Sequence, residues 1–323
     1  MDQLKNKLNR EFITVLQKYF PQTKDLAHFL IDTLDIGRES AYRRIRNEVF
    51  FSFEEIAVIA LKLDLSIDKF VGTNTRKAYF NIPLYKTEKP EEMYREILQN
   101  NIEATRKIHE AKNSTQYIVL NRLPYALITL CPVISKFHYY KWFLHIHNGK
   151  IRTPFCKFEL PDSLLECFTE YSQLSYNMSG KVFLIIDPNC ILYTLKEIEY
   201  FYKSGHLNSN DLKIMKEELL KIVEVMSNIA RKGISEIHKA EIKIYLSNVD
   251  IEPSYLYTEY DENKAFFIWS PAGDIVTSTN PEFCLRQKNW IESLFRYTIL
   301  ITQCNDIQQL KFFETQRKYI NDL

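Results

Sequence analysis

Apolar residues recur every three or four positions through residues 4–63, and short polar breaks divide them into helix-length groups. The first group predicts a helix that stops at Pro21, because proline has no backbone N–H with which to continue it. The second predicts a helix whose N-cap is Thr23. The predicted inward positions of these two helices are Leu4, Leu8, Phe12, Val15, Leu16 and Tyr19, and then Leu26, Ala27, Leu30 and Leu34.

Two more helices are predicted within residues 52–72. Residues 52–55 read Ser-Phe-Glu-Glu, which is a capping box: the serine hydroxyl and the glutamate three residues later each accept a hydrogen bond from the other's backbone N–H. The helix that follows has Ile56, Ile59, Ala60 and Leu63 facing inward. Ser66 is predicted to cap a last short helix over residues 67–71, which ends at Gly72.

An arginine-rich segment, residues 35–48, lies between these two pairs of helices. A turn over residues 35–37 precedes a short helix in which Ala41 and Ile45 form an apolar edge at i, i+4 spacing. A short helix that carries arginines and an asparagine is suited to binding in the major groove of DNA. Arginine pairs bidentately with guanine there, and asparagine pairs with adenine. A plain solvated basic surface is the alternative, and the flanking helices favour the DNA-binding interpretation.

Two registers of this helix remain open. With Ala41 inward, the side chains that reach the bases are Arg38, Glu39 and Arg43. With Tyr42 and Ile45 inward, they are Glu39, Ser40 and Arg44. Arg46 and Asn47 are then expected to contact phosphate or to cap the helix.

The first 72 residues resemble the lambda-repressor-like family of bacterial regulators. The segments that carry the resemblance are Asp-Leu-Ala at 25–27, Ile-Gly at 36–37, Ser-Ala-Tyr-Arg-Arg-Ile-Arg at 40–46, Phe-Glu-Glu-Ile-Ala at 53–57 and Leu-Ser-Ile-Asp-Lys-Phe at 65–70. The sequence departs from the family in a second helix about one turn longer, and in having Glu48 where a glycine is common. The resemblance implies a helix-turn-helix fold that reads DNA, although such units also serve as protein-docking modules.

Residues 73–89 are polar and predict a linker, and Pro90 begins a helix that runs to about residue 111. That helix either connects two domains or packs as an ordinary core helix. Strands are predicted over residues 117–123, 125–130, 181–186 and 241–246, and a hairpin over 255–269. Residues 162–175, 290–301 and 307–320 predict helices, and 133–146 fit either a helix or a strand.

A heptad-like apolar spacing marks residues 212–229. The residues that form it are Leu212, Met215, Leu219, Ile222, Met226 and Ile229, and Gly233 follows them. This spacing predicts a coiled-coil seam between two copies of the chain. Its alternative is an amphipathic helix packed on the sheet, which the nearby Val223, Val225 and Ala230 favour.

Composition limits the function further. The chain has 323 residues, a net charge of +1 and 26% charged residues, so any DNA binding must come from a local basic patch. Six scattered cysteines without a CxxC motif predict reduced thiols in a cytoplasmic protein. No signal peptide is recognisable, and no apolar run reaches the roughly 18 residues of a membrane span.

Catalytic motifs are absent from the sequence: it has no P-loop, GxGxxG, HExxH or GxSxG. His138, His145 and His147 are candidate metal ligands, but ordinary aromatic packing is the favoured interpretation. Asp187 follows an apolar strand, where α/β enzymes place catalytic carboxylates, yet Asp-Pro-Asn is also a turn sequence and the turn is favoured. Cys190 has no basic neighbour in sequence to activate it.

The sequence therefore predicts an all-α helix-turn-helix N-terminal domain over residues 1–72, a linker and connecting helix over 73–112, and an α+β C-terminal region of mixed short strands and amphipathic helices over 113–323. We expect a sequence-specific DNA-binding transcriptional regulator and not an enzyme. No cofactor or metal is expected. The expected partners are double-stranded DNA, a second copy of the chain, and a small molecule or protein sensed by the C-terminal region. The alternatives are an adaptor that binds protein and an enzyme with an unrecognised C-terminal site.

Overall fold

The structure is a computed structural model that describes residues 2–67, 77–85, 87–176, 180–234, 240–270 and 273–323. The chain divides into two compact units, Met1–Tyr79 and Phe80–Leu323. The first is helical in its described part, and the second contains both helices and strands. None of the helices within the described ranges is long and apolar enough to cross a membrane.

The helices of the first unit pack around one small core. They are α1 (Asp2–Tyr19), α2 (Thr23–Leu34), α3 (Arg38–Ile45) and α4 (Phe53–Leu63). Each contributes side chains to the core, which comprises Phe12, Ile13, Leu16, Leu26, Leu30, Ala41, Phe51 and Ile59. The rings of Phe12 and Phe51 meet edge to face at 5.1 Å. The short helix predicted over residues 67–71 extends outside the described residues.

Two predictions about the first two helices are wrong in detail. Leu4 and Tyr19 are about half exposed, because they lie near the two ends of an 18-residue helix that is longer than the core it covers. Gln22, not Thr23, occupies the N-cap of α2, and its carbonyl accepts the backbone N–H groups of Asp25 and Leu26. The predicted turn is confirmed: residues 35–37 join α2 to α3, and Asp35 supplies the left-handed conformation with φ 51°.

A seven-stranded mixed sheet organises the second unit, with strand order β6-β5-β4-β1-β2-β3-β7. Its strands are β1 (Ser114–Leu120), β2 (Lys181–Ile186), β3 (Glu241–Ser247), β4 (Tyr255–Tyr260), β5 (Asn263–Trp269), β6 (Ile275–Ser278) and β7 (Thr298–Leu300). The three central strands β1, β2 and β3 are parallel, and the others pair antiparallel. Parallel neighbours need crossover connections, which here are helical.

Helices cover both faces of this sheet. They are α5 (Pro90–His109), α6 (Tyr125–Ile128), α7 (Pro132–Ile146), α8 (Asp162–Tyr176), α9 (Cys190–Lys203), α10 (Ser209–Lys232), α11 (Pro281–Leu294) and α12 (Asp306–Asp322). Val182 and Ile186 of β2 enter the large core shared with α7, α9, α10 and α12, whereas Ile185 between them packs on the opposite face with Ile291 of α11. The apolar β2 is therefore buried on both sides, as central parallel strands are.

The segments around two predicted elements fold differently from the prediction. Residues 125–130 form the one-turn helix α6 (Tyr125–Ile128) and a turn, not a strand, because Pro124 at the N-cap of α6 has no N–H with which to continue a strand ladder. The helix predicted over 290–301 ends at Leu294, and residues 298–300 form β7 paired with the end of β3. The ambiguous segment 133–146 is helical in α7.

The predicted coiled-coil seam is buried inside the second unit. Met215, Leu219 and Met226 of α10 are at most 1% exposed and belong to the large core against the sheet. The seam prediction is therefore wrong, since these side chains are already covered within one chain. The alternative, an amphipathic helix packed on the sheet, is correct.

Helix α5 packs as a core helix of the second unit. Ile97 and Leu98 contact the aromatic cluster of α7 and α8, Ile108 packs against Phe267 of β5, and Arg106 forms an ion pair with Glu170 of α8. Of the two interpretations that the sequence left open for this helix, the structure supports the core helix.

Candidate nucleic-acid interface

The rotation of α3 is fixed by Ala41, which is fully buried among the helices of the first unit. Tyr42 and Ile45 are only partly buried. This corresponds to the first of the two registers, in which Arg38, Glu39 and Arg43 point outward. All three side chains are exposed, and they lie on α3 immediately after the three-residue turn from α2.

Arg44 is held inside the unit. Its Nη2 and Nε donate to the two carboxylate oxygens of Glu55 at 2.6 and 3.2 Å, and its Nη1 donates to the Ser40 hydroxyl at 2.6 Å. Only 13% of the Arg44 side chain is exposed. A guanidinium with this bidentate partner has few donors left for a base, so Arg44 and Ser40 serve to join α3 to α4.

The carboxylate that binds Arg44 also caps α4. The Ser52 backbone N–H donates to Glu55 Oε2 at 3.0 Å, and the Glu55 N–H donates to the Ser52 hydroxyl at 3.2 Å. The predicted capping box is thus confirmed. Because Glu55 takes part in both the cap and the ion pair, the same side chain positions the start of α4 and the last turn of α3.

Arg46 lies between two carboxylates on the outer side of α3. Its Nε is 2.6 Å from Glu48 Oε1, and its Nη2 is 3.1 Å from Glu39 Oε1. These hydrogen bonds raise the pKa of Arg46, and the bond from Arg46 lowers the pKa of Glu48. Arg43 is freer, because 52% of its side chain is exposed and its ion pair to Glu48 is 3.7 Å long.

Asn47 lies just after the C-cap of α3 and ties the end of this helix to α1. It adopts the left-handed conformation with φ 61°, while the N–H groups of Asn47 and Glu48 donate to the carbonyls of Arg44 and Arg43 in a Schellman motif. The left-handed residue is therefore Asn47, which explains why glutamate is tolerated at position 48.

The side-chain amide of Asn47 is used within the fold. Its nitrogen donates to Asn6 Oδ1 at 2.8 Å, and its oxygen accepts from Asn9 at 2.7 Å. Asn9 is buried and also accepts the backbone N–H of Phe51 at 3.0 Å. This asparagine network fixes the end of α3 against α1.

The seven residues that the sequence singled out thus fall into three groups. Arg38, Glu39 and Arg43 are exposed together on one side of α3, and the Arg38 guanidinium lies 5.8 Å from the centroid of the Tyr42 ring. Ser40, Arg44 and Asn47 are engaged within the unit, and Arg46 is exposed but paired with two glutamates. Sequence reasoning missed the supporting roles of Glu55, Asn6 and Asn9. Only Glu55 carried a signal, through its place in the capping box.

The other candidate sites do not assemble. His145 is exposed, whereas His147 Nδ1 lies 2.8 Å from the carbonyl of Phe143 and burial lowers the pKa of His138. Within the described ranges, no three His, Cys, Asp or Glu side chains are grouped closely enough to hold a metal ion.

The strand-end candidates are turn and core residues. Asp187 Oδ1 accepts the Asn189 N–H at 2.7 Å, so the predicted turn is confirmed. Burial raises the pKa of Cys190 to about 12, which keeps its thiol protonated and unreactive at neutral pH.

Comparison with known proteins adds no assignment. No protein-family model matches the chain, and no curated protein is significantly similar to it.

Proposed function

We propose that this protein is a sequence-specific DNA-binding transcriptional regulator whose helices α2 and α3 form a helix-turn-helix unit. In this proposal α3 enters the major groove, Arg38 and Arg43 contact bases or phosphates, and Glu39 accepts from cytosine. The observation that carries the proposal is the side of α3 that holds these three residues: it is exposed, whereas the opposite side is locked by Ala41 and by the Arg44–Glu55 pair.

The rigidity of this support favours recognition over a plain solvated surface. A side chain that reads a base must be held by residues whose own rotamers are fixed. Glu55 and Asn47 hold α3 from two directions, through α4 and through α1. Arg43 therefore projects from a positioned helix, with its side chain half exposed and held only by a long ion pair to Glu48.

We further propose that the protein acts on DNA as a homodimer. A small unit with one exposed recognition side makes few phosphate contacts, and two copies on half-sites about one helical turn apart raise the affinity through effective concentration. Because the apolar positions of α10 are buried in the core, a dimer would use another surface.

Selection of bound sequences from a random duplex DNA pool, with the full-length protein at low salt, tests the proposal. We expect an enriched palindromic motif whose affinity falls steeply as salt rises, because arginines release counterions from phosphate. The Lys213→Ala variant, which removes an exposed lysine from α10 in the second unit, is the matched control and should keep the motif. A folded protein that enriches no motif would refute the proposal.

A protein-binding role for the first unit is the second candidate. It is favoured by α4, on which Phe53 and Leu61 are 70% and 85% exposed. Binding through such an apolar surface would respond weakly to salt, in contrast to DNA binding. The same salt titration therefore distinguishes the two functions.

A further inference from the structure

A groove of about 520 Å³ opens in the second unit beside the start of α5. We call it the aromatic groove, and its lining residues are Lys89, Pro90, Glu91, Glu92, Tyr139, Phe143, Phe158, Glu159 and Pro161. Its volume lies within the range of pockets that hold small organic molecules or a single side chain. None of the motifs found in the sequence involves it.

Three aromatic rings meet at this groove. The centroids of Tyr139, Phe143 and Phe158 lie 5.2–5.9 Å apart, and every pair of rings is tilted by 43–55°. Tyr139 is 2% exposed, so its ring is fixed by packing, and Phe143 and Phe158 are partly exposed. An occupant of the groove can therefore contact the exposed parts of Phe143 and Phe158, and aromatic rings attract cations placed over their faces.

The charges at the rim are predominantly negative. Glu91 and Glu159 are exposed, and Glu91 is oriented by the Ser163 hydroxyl, which donates to it at 2.7 Å. The one lysine of the lining, Lys89, is paired with Glu92 at 2.8 Å and is thereby neutralised. The start of a helix would by itself attract an anion, but these carboxylates oppose one.

We propose that the aromatic groove binds an organic cation, namely an alkylammonium or guanidinium group. Such a cation gains from the partly exposed rings of Phe143 and Phe158 and from the carboxylates of Glu91 and Glu159 together. A neutral apolar ligand would make no use of the carboxylates. The source of the group is either a free small molecule or the side chain of a peptide, and the chemistry of recognition is the same for both.

Titration of the full-length protein with choline, N-acetylarginine amide and 3,3-dimethylbutan-1-ol tests this proposal. The alcohol has the shape of choline without its charge. Tryptophan fluorescence and ligand-detected NMR would measure the binding. We expect saturable binding of at least one cation, and binding of the alcohol that is at least about tenfold weaker. The cation that binds more tightly identifies the source, because choline represents free ligands and the arginine derivative represents a peptide side chain.

Variants locate the binding to the aromatic groove. Glu159→Gln should weaken cation binding by about threefold or more, and Phe158→Ala by about tenfold. Glu166→Gln is the matched control, since it removes an exposed glutamate of α8 outside the groove. If Phe158→Ala fails to fold, Glu159→Gln still decides, because its side chain is exposed.

Three results would overturn the proposal. The first is the absence of saturable binding by both cations up to about 10 mM, which is tenfold weaker than millimolar binding. The second is equal binding of the alcohol, and the third is cation binding that Glu159→Gln leaves unchanged. The experiment uses no DNA, so its failure leaves the proposed regulatory function intact, and failure of the DNA selection leaves this proposal intact.

Discussion

The Arg44 guanidinium and the Glu55 carboxylate form a bidentate pair, with Nη2–Oε1 and Nε–Oε2 distances of 2.6 and 3.2 Å. The pair joins α3 to the first turn of α4, and both side chains are largely buried. Arg43, next to Arg44 in sequence, points outward and is half exposed. Two adjacent arginines of the same helix therefore have different physical roles, and this difference can be tested.

Arg43→Ala is expected to weaken site-specific DNA binding without destabilising the first unit. A base-reading arginine is worth about 1–3 kcal/mol, so the affinity should fall by roughly tenfold and specificity should relax at one base position. Binding to the selected motif and to scrambled duplexes would be measured at fixed salt. If Arg43→Ala binds the motif as tightly as the original protein and Lys213→Ala do, Arg43 does not read DNA.

Arg44→Ala is expected to destabilise the first unit. It leaves the largely buried Glu55 carboxylate and the Ser40 hydroxyl without their partner, at a cost of about 1–3 kcal/mol. Native-state hydrogen exchange of the α3 and α4 amides measures this loss separately from the second unit. Arg44→Lys keeps the charge but lacks the planar fork, so it should recover only part of the stability. Unchanged protection in Arg44→Ala would contradict this role.

Glu48→Gln is expected to strengthen DNA binding by a few fold, because it removes a negative charge from the proposed interface and the ion pairs that Glu48 forms with Arg43 and Arg46. The Arg46 hydrogen bond lowers the pKa of Glu48, so the carboxylate stays charged above that pKa and the pairing is lost only as pH falls through it. The charge of Glu48 should therefore be removed by substitution at neutral pH, and not by lowering the pH. Glu54→Gln on α4 is the control and should have a smaller effect; a weaker affinity of Glu48→Gln would contradict the prediction.

Asn47→Ala is expected to destabilise α3 more than Asn47→Gly does. Both variants lose the hydrogen bonds to Asn6 and Asn9, but glycine accepts φ 61° freely, which should make it about 1 kcal/mol less costly than alanine. Hydrogen exchange of the α3 amides gives the two values. DNA selection with Asn47→Gly should recover the original motif; a changed base preference would show that Asn47 itself reads DNA.

Gly180→Ala is expected to destabilise the second unit by about 3 kcal/mol or more. Gly180 precedes β2 with φ 87°, and a Cβ there would lie 2.2 Å from the carbonyl oxygen of Ser114. Gly149→Ala is the matched control: its φ is 66° with open space around it, so only the backbone strain of about 1 kcal/mol applies. Urea unfolding monitored by tryptophan fluorescence reports on this unit, because all three tryptophans of the sequence lie in it. Equal losses in the two variants would contradict the steric argument.

Local patterns in the sequence determined much of the secondary structure. The Ser52–Glu55 capping box and the turn at residues 35–37 lie where predicted, and the strand at 181–186 has the predicted bounds. Each of these features depends on hydrogen bonds or burial within a few residues. The spacing of apolar residues in α10 likewise predicted correctly which side of this helix is buried.

Only the tertiary structure decided what packs against the apolar side of α10. A stripe at three- and four-residue spacing fits a partner helix or a sheet equally well, and the crossover between β2 and β3 brought α10 onto the sheet. The same holds for residues 298–300, whose strand exists because the end of β3 offers a free edge. Long-range pairing of this kind leaves no periodic signal in a three-residue segment.

Tertiary contacts also decided which residues of α3 are exposed and which are bound within the unit. The sequence by itself determined that residues 38–45 form an arginine-rich helix with an apolar edge, because spacing along one helix is a local property. It did not determine that Arg44 meets Glu55, 11 residues away, or that Asn47 meets Asn6 and Asn9, about 40 residues away. Those contacts depend on how α1 and α4 pack around Ala41, and this packing leaves Arg38, Glu39 and Arg43 exposed.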